Sequence, residues 1–399
     1  MRIASINTVP YGSTGRIMLQ ITDLARARGH EAITFSKTRL KNPYRAGGHY
    51  YIGTRLSNAI HRYIGPLTGR DGGYSRTATR RLIRHLDKFK PDLIHLHNLH
   101  GWYLNYELLF AYIKERDIPV VWTLHDCWAF TGHCPHFLHS GCEKWKTECH
   151  HCPQLAVYPE SRVESTGRSY REKREAFTGV KSMTLVTPSR WLADMVGESF
   201  LGGYPTRVIN NGIDLAVFKP TPSDIRDRLG IGGRRLILGV SSDWGERKGL
   251  DVFATLASRL GDGYAVLLVG VDEKTARTLP AGVITLPRTE SAAELAAIYT
   301  AADLFVNPTR EDNYPTVNME ALACGTPVIT FAAGGSAEII DEATGTSVPV
   351  DDIDALEREI RRITGEHPFG AGACVARARG FDKNARFAEY LDLYETITK

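Results

Sequence analysis

The stretch that decides the fold covers residues 308–340 and reads PTREDNYPTVNMEALACGTPVITFAAGGSAEII. Its polar turn leads into a helical pattern, and we expect the helix to begin near Pro315 or Thr316. The first N–H groups of a helix lack internal partners, and the helix dipole favours an anion beside them. We therefore expect a diphosphate group to bind at this helix start. Gly325 and Pro327 should end the helix, because glycine suits the position after a helix and proline cannot continue it.

An apolar run at residues 328–331 predicts a short buried strand after this helix. Gly334 and Gly335 follow the strand and allow a ligand to approach the backbone at its carboxyl end. Two carboxylates, Asp312 and Glu320, lie eight positions apart around the helix start. One is expected on the loop and the other on the helix, an arrangement that suits the two ends of one ligand.

The same segment resembles the donor-binding signature of the retaining GT-B glycosyltransferases of family 4. In that signature two acidic residues separated by seven others precede an Ala-x-x-x-Gly-x-Pro run, as in residues 312–327 here. The resemblance implies that Glu320 binds the nucleotide ribose and that Asp312 binds hydroxyls of the donor sugar. Glutamate is usual where Asp312 stands and Glu311 precedes it, so both remain candidates for the sugar contact. The other donor-binding candidates of this segment are Asn313, Tyr314, Pro315, Thr316 and Val317.

Length and composition indicate two α/β domains. A chain of 399 residues is too long for one ordinary core, and 43% hydrophobic with 24% charged residues is typical of a globular protein. The resemblance implies the GT-B fold, in which two Rossmann-like domains with doubly wound parallel sheets face a cleft. We place an acceptor-side domain at residues 1–218, with a Cys-rich insertion at 127–153 and a C-terminal helix at 382–399 that packs back on it. The nucleotide-sugar donor domain is expected at 219–381.

Basic residues are concentrated near the start of the chain. Residues 26–90 contain fifteen Lys and Arg against three Asp and Glu, interleaved with tyrosines. Such a stretch suits anionic lipid headgroups or a pyrophosphate-bearing acceptor. A nucleic-acid surface and an ordinary solvated basic face are the alternatives. The sequence has no run of 18 apolar residues and no secretory signal pattern, so we expect a cytoplasmic protein. We further expect peripheral contact with the inner face of the cell membrane and no nucleic-acid partner.

A glycine-containing loop follows the first predicted strand. Residues 2–7 predict a strand, and a polar turn with Gly12 and Gly15 leads from it into a helix. Such a loop brings N–H groups towards a phosphate, although its spacing is not the dinucleotide-binding fingerprint. In the resembling family this loop lies across the cleft from the donor, which makes Gly12 and Gly15 candidate positions of close approach. Residues 40–75 are expected to be irregular and to carry acceptor contacts.

Two buried strands end in histidine. Residues 91–98 and 119–126 predict strands that finish at His97 and at His125 with Asp126. Ligands of open parallel sheets bind beyond the carboxyl ends of strands. One histidine at a strand end is more often structural, but two such ends favour a functional site. The resemblance implies that His97 faces the sugar and phosphates of the donor, and the family has a pair similar to His125 and Asp126.

Two adjacent cations, Arg247 and Lys248, lie in a loop between a predicted strand at 235–240 and a helix from Leu250. Arginine can bind a diphosphate through two nitrogens and lysine acts as a point charge, so the pair suits this group. The resembling family usually has another arginine where Ser242 stands. Neutralisation of the phosphates is therefore expected to depend more on Arg247 and Lys248.

Five of the seven cysteines lie within residues 125–153, a segment with little apolar periodicity. A reducing cytosol discourages disulfides, and the closing Cys-x2-Cys has the spacing of metal ligands. A structural zinc is expected to order the segment, with an iron–sulfur cluster and free or paired thiols as alternatives. The candidate zinc ligands are Cys134, Cys142, Cys149 and Cys152.

Together, the residues and the resemblance imply a retaining, metal-independent glycosyltransferase. It would move a sugar from a nucleoside diphosphate donor, a UDP- or GDP-sugar, to a glycan or lipid-linked acceptor in exopolysaccharide or capsule assembly. His97, Lys248 and Asp312 are the catalytic candidates. The alternatives are a nucleotide-sugar epimerase on the same fold and a non-catalytic nucleotide-binding scaffold organised by zinc. A pyridoxal-phosphate phosphorylase would need a Schiff-base lysine, and none stands out.

Overall fold

The computed structural model describes residues 1–37 and 47–398. The chain divides into two compact units: unit 1 comprises Met1–Asn210 and Arg386–Lys399, and unit 2 comprises Asn211–Ala385. Within the described residues, no helix combines the length and the apolar character needed to cross a membrane. The domain limits expected near residues 218 and 381 stay a prediction.

Unit 1 is built on a parallel sheet, to which the described residues contribute seven strands in the order β3-β2-β1-β4-β5-β6-β7. The order reverses between β1 and β4, which makes this pair the switch point of a doubly wound sheet. The strands are β1 Arg2–Ile6, β2 Glu31–Ser36, β3 His49–Tyr51, β4 Leu93–Leu96, β5 Val120–Thr123, β6 Met183–Thr187 and β7 Thr206–Val208. The helices are α1 Gly12–Ala27, α2 Arg55–Thr68, α3 Arg76–Phe89, α4 Tyr106–Arg116, α5 Thr166–Phe177, α6 Arg190–Glu198 and, at the end of the chain, α14 Lys383–Ile397.

The central strands of unit 1 are apolar on both faces, as expected for a parallel sheet covered by helices. Leu96, Val120 and Trp122 pack in one cluster with residues of α3 and α4. Ile3, Leu93 and Val121 pack on the other face with Tyr390 and Leu391 of α14. The final helix therefore completes the core of unit 1.

The prediction of irregular backbone at residues 40–75 is wrong over most of its described part, which contains β3 and α2. Thr54 starts α2 through a capping box with Ser57, and Gly69 ends it in the left-handed conformation. His61 and Gly65 form the buried side of α2, whereas its large apolar side chains are exposed. The sequence does show an apolar stripe at helical spacing from Leu56 to Leu67, but this stripe faces solvent in the structure. Residues 40–46 lie outside the described residues.

Unit 2 has a second parallel sheet, with six strands among the described residues in the order β10-β9-β8-β11-β12-β13. The strands are β8 Arg235–Val240, β9 Tyr264–Val269, β10 Val283–Leu286, β11 Leu304–Asn307, β12 Val328–Phe331 and β13 Gly345–Val348. The helices are α7 Ile225–Arg228, α8 Leu250–Leu260, α9 Glu273–Ala276, α10 Ala292–Ala301, α11 Thr316–Ala323, α12 Ile353–Glu366 and α13 Ala371–Ala378. The order reverses between β8 and β11, so both units are doubly wound and Rossmann-like.

The stretch quoted first forms β12 and α11 as predicted. Helix α11 begins at Thr316, and Gly325 follows its end with a φ of 87°. Positive φ values are strained for residues with a side chain, which accounts for glycine at this position. Strand β12 pairs with β11 and β13, and its four residues are buried.

Candidate functional site

In unit 2 the loop after β8 contacts the loop after β11. Lys248 Nζ lies 2.5 Å from Asp312 Oδ2, and both side chains are about one fifth exposed, at 19% and 21%. Gly249 permits this approach, since its φ is 71° and a Cβ there would lie 2.4 Å from the carbonyl oxygen of Pro308. The structure thus brings the predicted phosphate-binding lysine and the predicted sugar-binding acid into one ion pair.

Arg247 lies beside this pair, and its Nη1 donates to the carbonyl oxygen of Glu311 at 3.3 Å. The neighbouring Arg310 fixes the two loops, because its backbone N–H donates to the Arg247 carbonyl at 2.9 Å and its buried guanidinium pairs with Asp251 and Asp351. The sequence pattern did not indicate Arg310 as a site residue. Its position inside the deciding stretch, directly before Glu311, was the available signal.

Glu320 is buried in unit 2 and accepts a hydrogen bond of 3.2 Å from the Tyr299 hydroxyl. Burial, followed by the charge of Glu320, raises the pKa of Tyr299 well above its usual value, so Tyr299 remains a donor. Tyr299 therefore holds one carboxylate oxygen of Glu320, the residue that is predicted to bind the ribose. The sequence analysis missed Tyr299 as a site residue, since it lies on α10, outside the deciding stretch.

The start of α11 has the features of an anion site. Pro315 precedes the helix and provides no side chain that caps it. The N–H groups of Thr316 and Val317 therefore receive no help from a capping side chain at the helix start. Glu311, Asn313 and Tyr314 of the preceding loop are buried. The loop is held against the glycine pair after β12, because the N–H of Gly335 donates to the Asn313 carbonyl at 3.0 Å. Ser242 is exposed in the loop after β8.

In unit 1 the two predicted strand-end histidines are in contact. Nδ1 of His97 lies 3.0 Å from Nε2 of His125, and the rings stack with an interplanar angle of 12°. Burial lowers the pKa of His97 well below its usual value and that of His125 to about 4. Both imidazoles are therefore neutral near pH 7. Nε2 of His97 is buried and has no hydrogen-bond partner within residues 1–37 and 47–398.

Asp126 pairs with His100, at 2.9 Å between Oδ2 and Nε2, and also accepts from the Trp128 N–H at 2.9 Å. Burial opposes the charge of Asp126, but the charges of His100 and His136, with hydrogen bonds from His100 and the Trp128 N–H, together lower the pKa of Asp126 to about 2. Nδ1 of His100 lies 2.8 Å from the Tyr158 hydroxyl. His100 was missed as a site residue, although it follows His97 by only three positions.

The glycine loop after β1 is closely packed at Gly15. A Cβ on this residue would lie 2.6 Å from the carbonyl oxygen of Val9, so only glycine fits. Gly12 opens α1 with a φ of 69° and open space around its Cα. Asn7, which the sequence analysis missed, is fully buried, and its Oδ1 accepts from the N–H groups of Thr8 and Asn98 at 2.9 and 3.2 Å.

The Cys-rich segment has buried contacts despite its lack of apolar periodicity. Phe130, Phe137 and Trp145 are buried and pack together, with ring centroids 5.0 to 6.5 Å apart. This aromatic cluster joins the main core of unit 1. The segment is therefore anchored to the main core by its aromatic side chains, which short-range periodicity could not reveal because they come from separate turns.

The predicted zinc site is not supported. The predicted ligands Cys134, Cys142, Cys149 and Cys152 line one cavity. Yet no group of three or more His, Cys, Asp or Glu side chains in the described part of the chain is arranged to hold a metal ion. The Cys149 Sγ instead accepts a hydrogen bond from the Gly132 N–H at 3.1 Å. The pKa of the Cys152 thiol is lowered to about 7, and a hydrogen bond with Cys134 is the largest cause.

Comparisons with known proteins agree with this architecture. The family model Glycosyltransferase Family 4 matches residues 14–217, and the model for glycosyl transferases group 1 matches residues 234–366. A protein of Escherichia coli (strain K12) named "Putative colanic acid biosynthesis glycosyl transferase WcaC" is 26% identical over 318 residues, 77% of each chain.

Solved structures share the fold over the whole length. Sucrose-phosphate synthase from Thermosynechococcus elongatus aligns with a TM-score of 0.74 at 18% identity, covering 99% of this chain and 98% of the other. HepE from Anabaena, in complex with UDP and glucose, aligns with a TM-score of 0.71 at 15% identity, covering 99% of this chain and 100% of the other.

The two Rossmann-like units and the family models define the class of the protein, which is a glycosyltransferase of the GT-B fold. The family 4 model matches just over half of the chain. The chain belongs to glycosyltransferase family 4.

Proposed function

We propose that this glycosyltransferase moves a sugar from a UDP- or GDP-sugar to a glycan or lipid-linked acceptor, with retention of the anomeric configuration, in the assembly of an extracellular polysaccharide. The name of the E. coli relative supports the polysaccharide role, and the structure of HepE with UDP and glucose supports a nucleoside diphosphate donor. Unit 2 is the proposed donor side and unit 1 the proposed acceptor side.

The observation that carries the proposal is the pair of Lys248 and Asp312 beside Arg247 in unit 2. A departing diphosphate develops negative charge, and cations fixed in a partly desolvated site stabilise such charge without reorganising. Arg310 fixes both loops through its backbone hydrogen bond to Arg247 and its ion pairs with the half-exposed Asp251 and Asp351, so the cations are held in place before any ligand arrives. Asp312 adds an acceptor for the hydroxyls of the sugar, and Glu320 is the proposed acceptor for the ribose hydroxyls.

The test is a panel of nucleotide sugars with UDP, GDP, ADP and TDP as carriers, incubated with the protein and lipid-linked oligosaccharides. The proposal predicts release of one nucleoside diphosphate together with a glycosylated acceptor whose anomeric configuration matches that of the donor. An epimerase would return a changed nucleotide sugar without an acceptor. Absence of turnover with every donor would reject the proposal.

We further propose that unit 1 docks on an anionic membrane surface through α2. One face of this helix exposes Leu56, Ile60, Tyr63, Ile64 and Leu67, and the exposed fractions of Leu56 and Tyr63 are 71% and 75%. Helix α3, the next in the chain, carries five exposed cations: Arg76, Arg80, Arg81, Arg84 and Lys88. Apolar side chains that enter the interface and nearby cations that meet acidic headgroups are what an interfacial helix requires. A lipid-linked acceptor would be found at the same surface.

A further inference from the structure

Unit 1 contains a polar cavity that the proposed donor chemistry does not use. It opens between the end of α2, the turn after β4, the Cys-rich segment and α5, and its lining includes Asp71, Trp102, Trp128, His133 and Lys173. We call it the Asp71 cavity. It encloses about 340 Å³ when its open mouth is included. The free space inside it has room for about one water-sized group.

Three polar side chains in the lining lack partners. Both carboxylate oxygens of Asp71, Nε2 of His133 and Nε1 of Trp128 are buried and have no hydrogen-bond partner within residues 1–37 and 47–398. The N–H of Gly101 lies near enough to favour the charged form of Asp71, but it does not reach hydrogen-bond geometry. An unpaired buried polar group destabilises a protein by about 1–3 kcal/mol. Three such groups in one cavity indicate that a ligand or water supplies the missing partners.

The charges of the cavity favour a neutral ligand. The Lys173 ammonium is buried, donates to the carbonyl oxygens of Trp128 at 2.7 Å and Thr131 at 3.0 Å, and lies 3.5 Å from the centroid of the Trp128 ring. Asp71 balances this charge, and Glu160 adds a carboxylate to the lining. Lys37 also acts on Asp71, so the surroundings carry charges of both signs, and the unpaired buried carboxylate of Asp71 disfavours a phosphate or diphosphate. A hydroxyl group can donate to Asp71 and accept from Trp128 at the same time.

The lining of the cavity also includes aromatic rings, of which Trp102 is partly exposed and Tyr106 is buried. Trp102 and Tyr106 belong to the lining, and Trp102 is held with a φ of 60°, a strained value for a residue with a side chain. Aromatic rings present a flat apolar surface beside polar groups, which suits a sugar ring with one hydroxyl directed inwards. We propose that the Asp71 cavity binds a neutral sugar of the acceptor, with one of its hydroxyl groups hydrogen-bonded to Asp71. This inference rests on the proposed function of the chain.

The test compares Asp71→Asn with Asp87→Asn, an exposed carboxylate of unit 1 on α3 that serves as the matched control. Octyl glycosides of glucose, galactose, fucose and N-acetylglucosamine act as neutral acceptors, and donor hydrolysis without acceptor is measured in parallel. We expect Asp71→Asn to raise the KM of the best glycoside about ten- to hundredfold, the effect of losing one hydrogen bond to a charged group. Donor hydrolysis should not change, and the control should match the wild type in both assays.

Stability separates a binding role from a structural one. Burial raises the pKa of Asp71, so its ionised form destabilises the folded state at neutral pH and a neutral Asn relieves this effect. The urea midpoint of Asp71→Asn should therefore be equal to or higher than that of the wild type at pH 7.5. A lower midpoint with equal losses in transfer and hydrolysis would mean a structural role and overturn the inference.

A direct binding experiment covers the case in which no glycoside is glycosylated. Saturation-transfer NMR with the same glycosides should give signals for the wild type that weaken in Asp71→Asn and in His133→Phe, which fills the same cavity. Equal signals in all variants, or none in the wild type, would leave a buried water as the occupant and overturn the inference. Failure of the proposed function is distinct, because it would appear as absence of turnover with every donor.

Discussion

Substitutions of Lys248 and Asp312, the two members of one ion pair, are expected to change the nucleotide affinity in opposite directions. The lysine attracts a diphosphate, whereas the carboxylate 2.5 Å away partly neutralises it. Lys248→Ala should therefore weaken UDP or GDP binding and lower turnover about a hundredfold or more. Asp312→Asn should lower turnover to a similar extent but leave nucleotide binding equal or tighter, because it removes a negative charge from the site. Calorimetric titration with the nucleotide and steady-state kinetics measure the two effects.

Lys274 provides the control for charge alone, since it is an exposed lysine of the same unit on α9. Lys274→Ala should behave as the wild type in both measurements. Full activity of Lys248→Ala, or a weaker nucleotide affinity of Asp312→Asn, would contradict the roles given to this pair.

Single residues differ in how far the sequence predicted them. Lys248 and Asp312 stand in recognisable local patterns, and the structure places them in contact. Arg310, Tyr299 and His100 hold the predicted residues in position, but their partners are distant in sequence. Such supporting contacts depend on tertiary packing, which no local pattern contains.

At the scale of elements, parallel strands and their following loops were predictable because each strand is a short apolar run with a polar end. Strands β1, β4, β5, β8 and β12 all follow this pattern. Helix α2 has an apolar stripe at helical spacing from Leu56 to Leu67, but the exposure of this stripe was not predictable, since it follows from the burial of His61 and Gly65 on the other side. The exposure of this apolar stripe suggests that α2 is a docking element.

The exposed face of α2 leads to a prediction about membrane binding. Changing both Leu56 and Tyr63 to Ser should weaken binding to phosphatidylglycerol vesicles at least tenfold, because burying each side chain contributes about 1.5–3 kcal/mol. Vesicle flotation measures the bound fraction. Binding of the wild type should also fall as salt shortens the Debye length. Val350→Ser, an exposed apolar residue of unit 2, is the control. Equal binding of all variants would reject α2 as the docking element.

The aromatic cluster of the Cys-rich segment leads to a different prediction from a zinc site. Trp145 is 2% exposed and packs against Phe130 and Phe137. Trp145→Ala should lower the free energy of unfolding of unit 1 by about 3–5 kcal/mol, the usual effect of removing a large buried aromatic side chain. A chelator should leave the urea midpoint of the wild type unchanged. Unfolding of the segment on chelation, followed by hydrogen exchange, would restore the metal hypothesis.

Across the whole molecule, the buried histidines are concentrated in unit 1. The two units should therefore respond differently to acid. Unit 1 contains six histidines whose pKa is lowered, with burial as the largest cause: His30, His61, His95, His97, His125 and His133. Unit 2 contains a single histidine, His367, and it is exposed. This distribution is visible in the sequence only as a count, because burial decides which histidines resist protonation.

The sign of the effect follows from the direction of these shifts. A histidine with a folded pKa near 4 stays neutral in the folded state, whereas its unfolded form binds a proton below about pH 6.5. Its contribution to stability is therefore present above pH 6.5 and is lost as the pH falls towards 4, by up to about 1.4 kcal/mol per pH unit and histidine. Asp71 has a raised pKa, so its protonation as the pH falls stabilises the folded state and opposes the effect of the histidines.

We therefore expect unit 1 to lose stability before unit 2 when the pH falls from 7.5 to 5. Limited proteolysis at the two pH values, with cleavage sites assigned by mass spectrometry, should give new acid-dependent cuts in residues 1–210 and few in residues 211–385. Tryptophan fluorescence in urea should show the same shift, because five of the six tryptophans belong to unit 1 and Trp244 alone to unit 2. Acid-dependent cuts that begin in unit 2, or an unchanged fluorescence midpoint, would contradict the prediction.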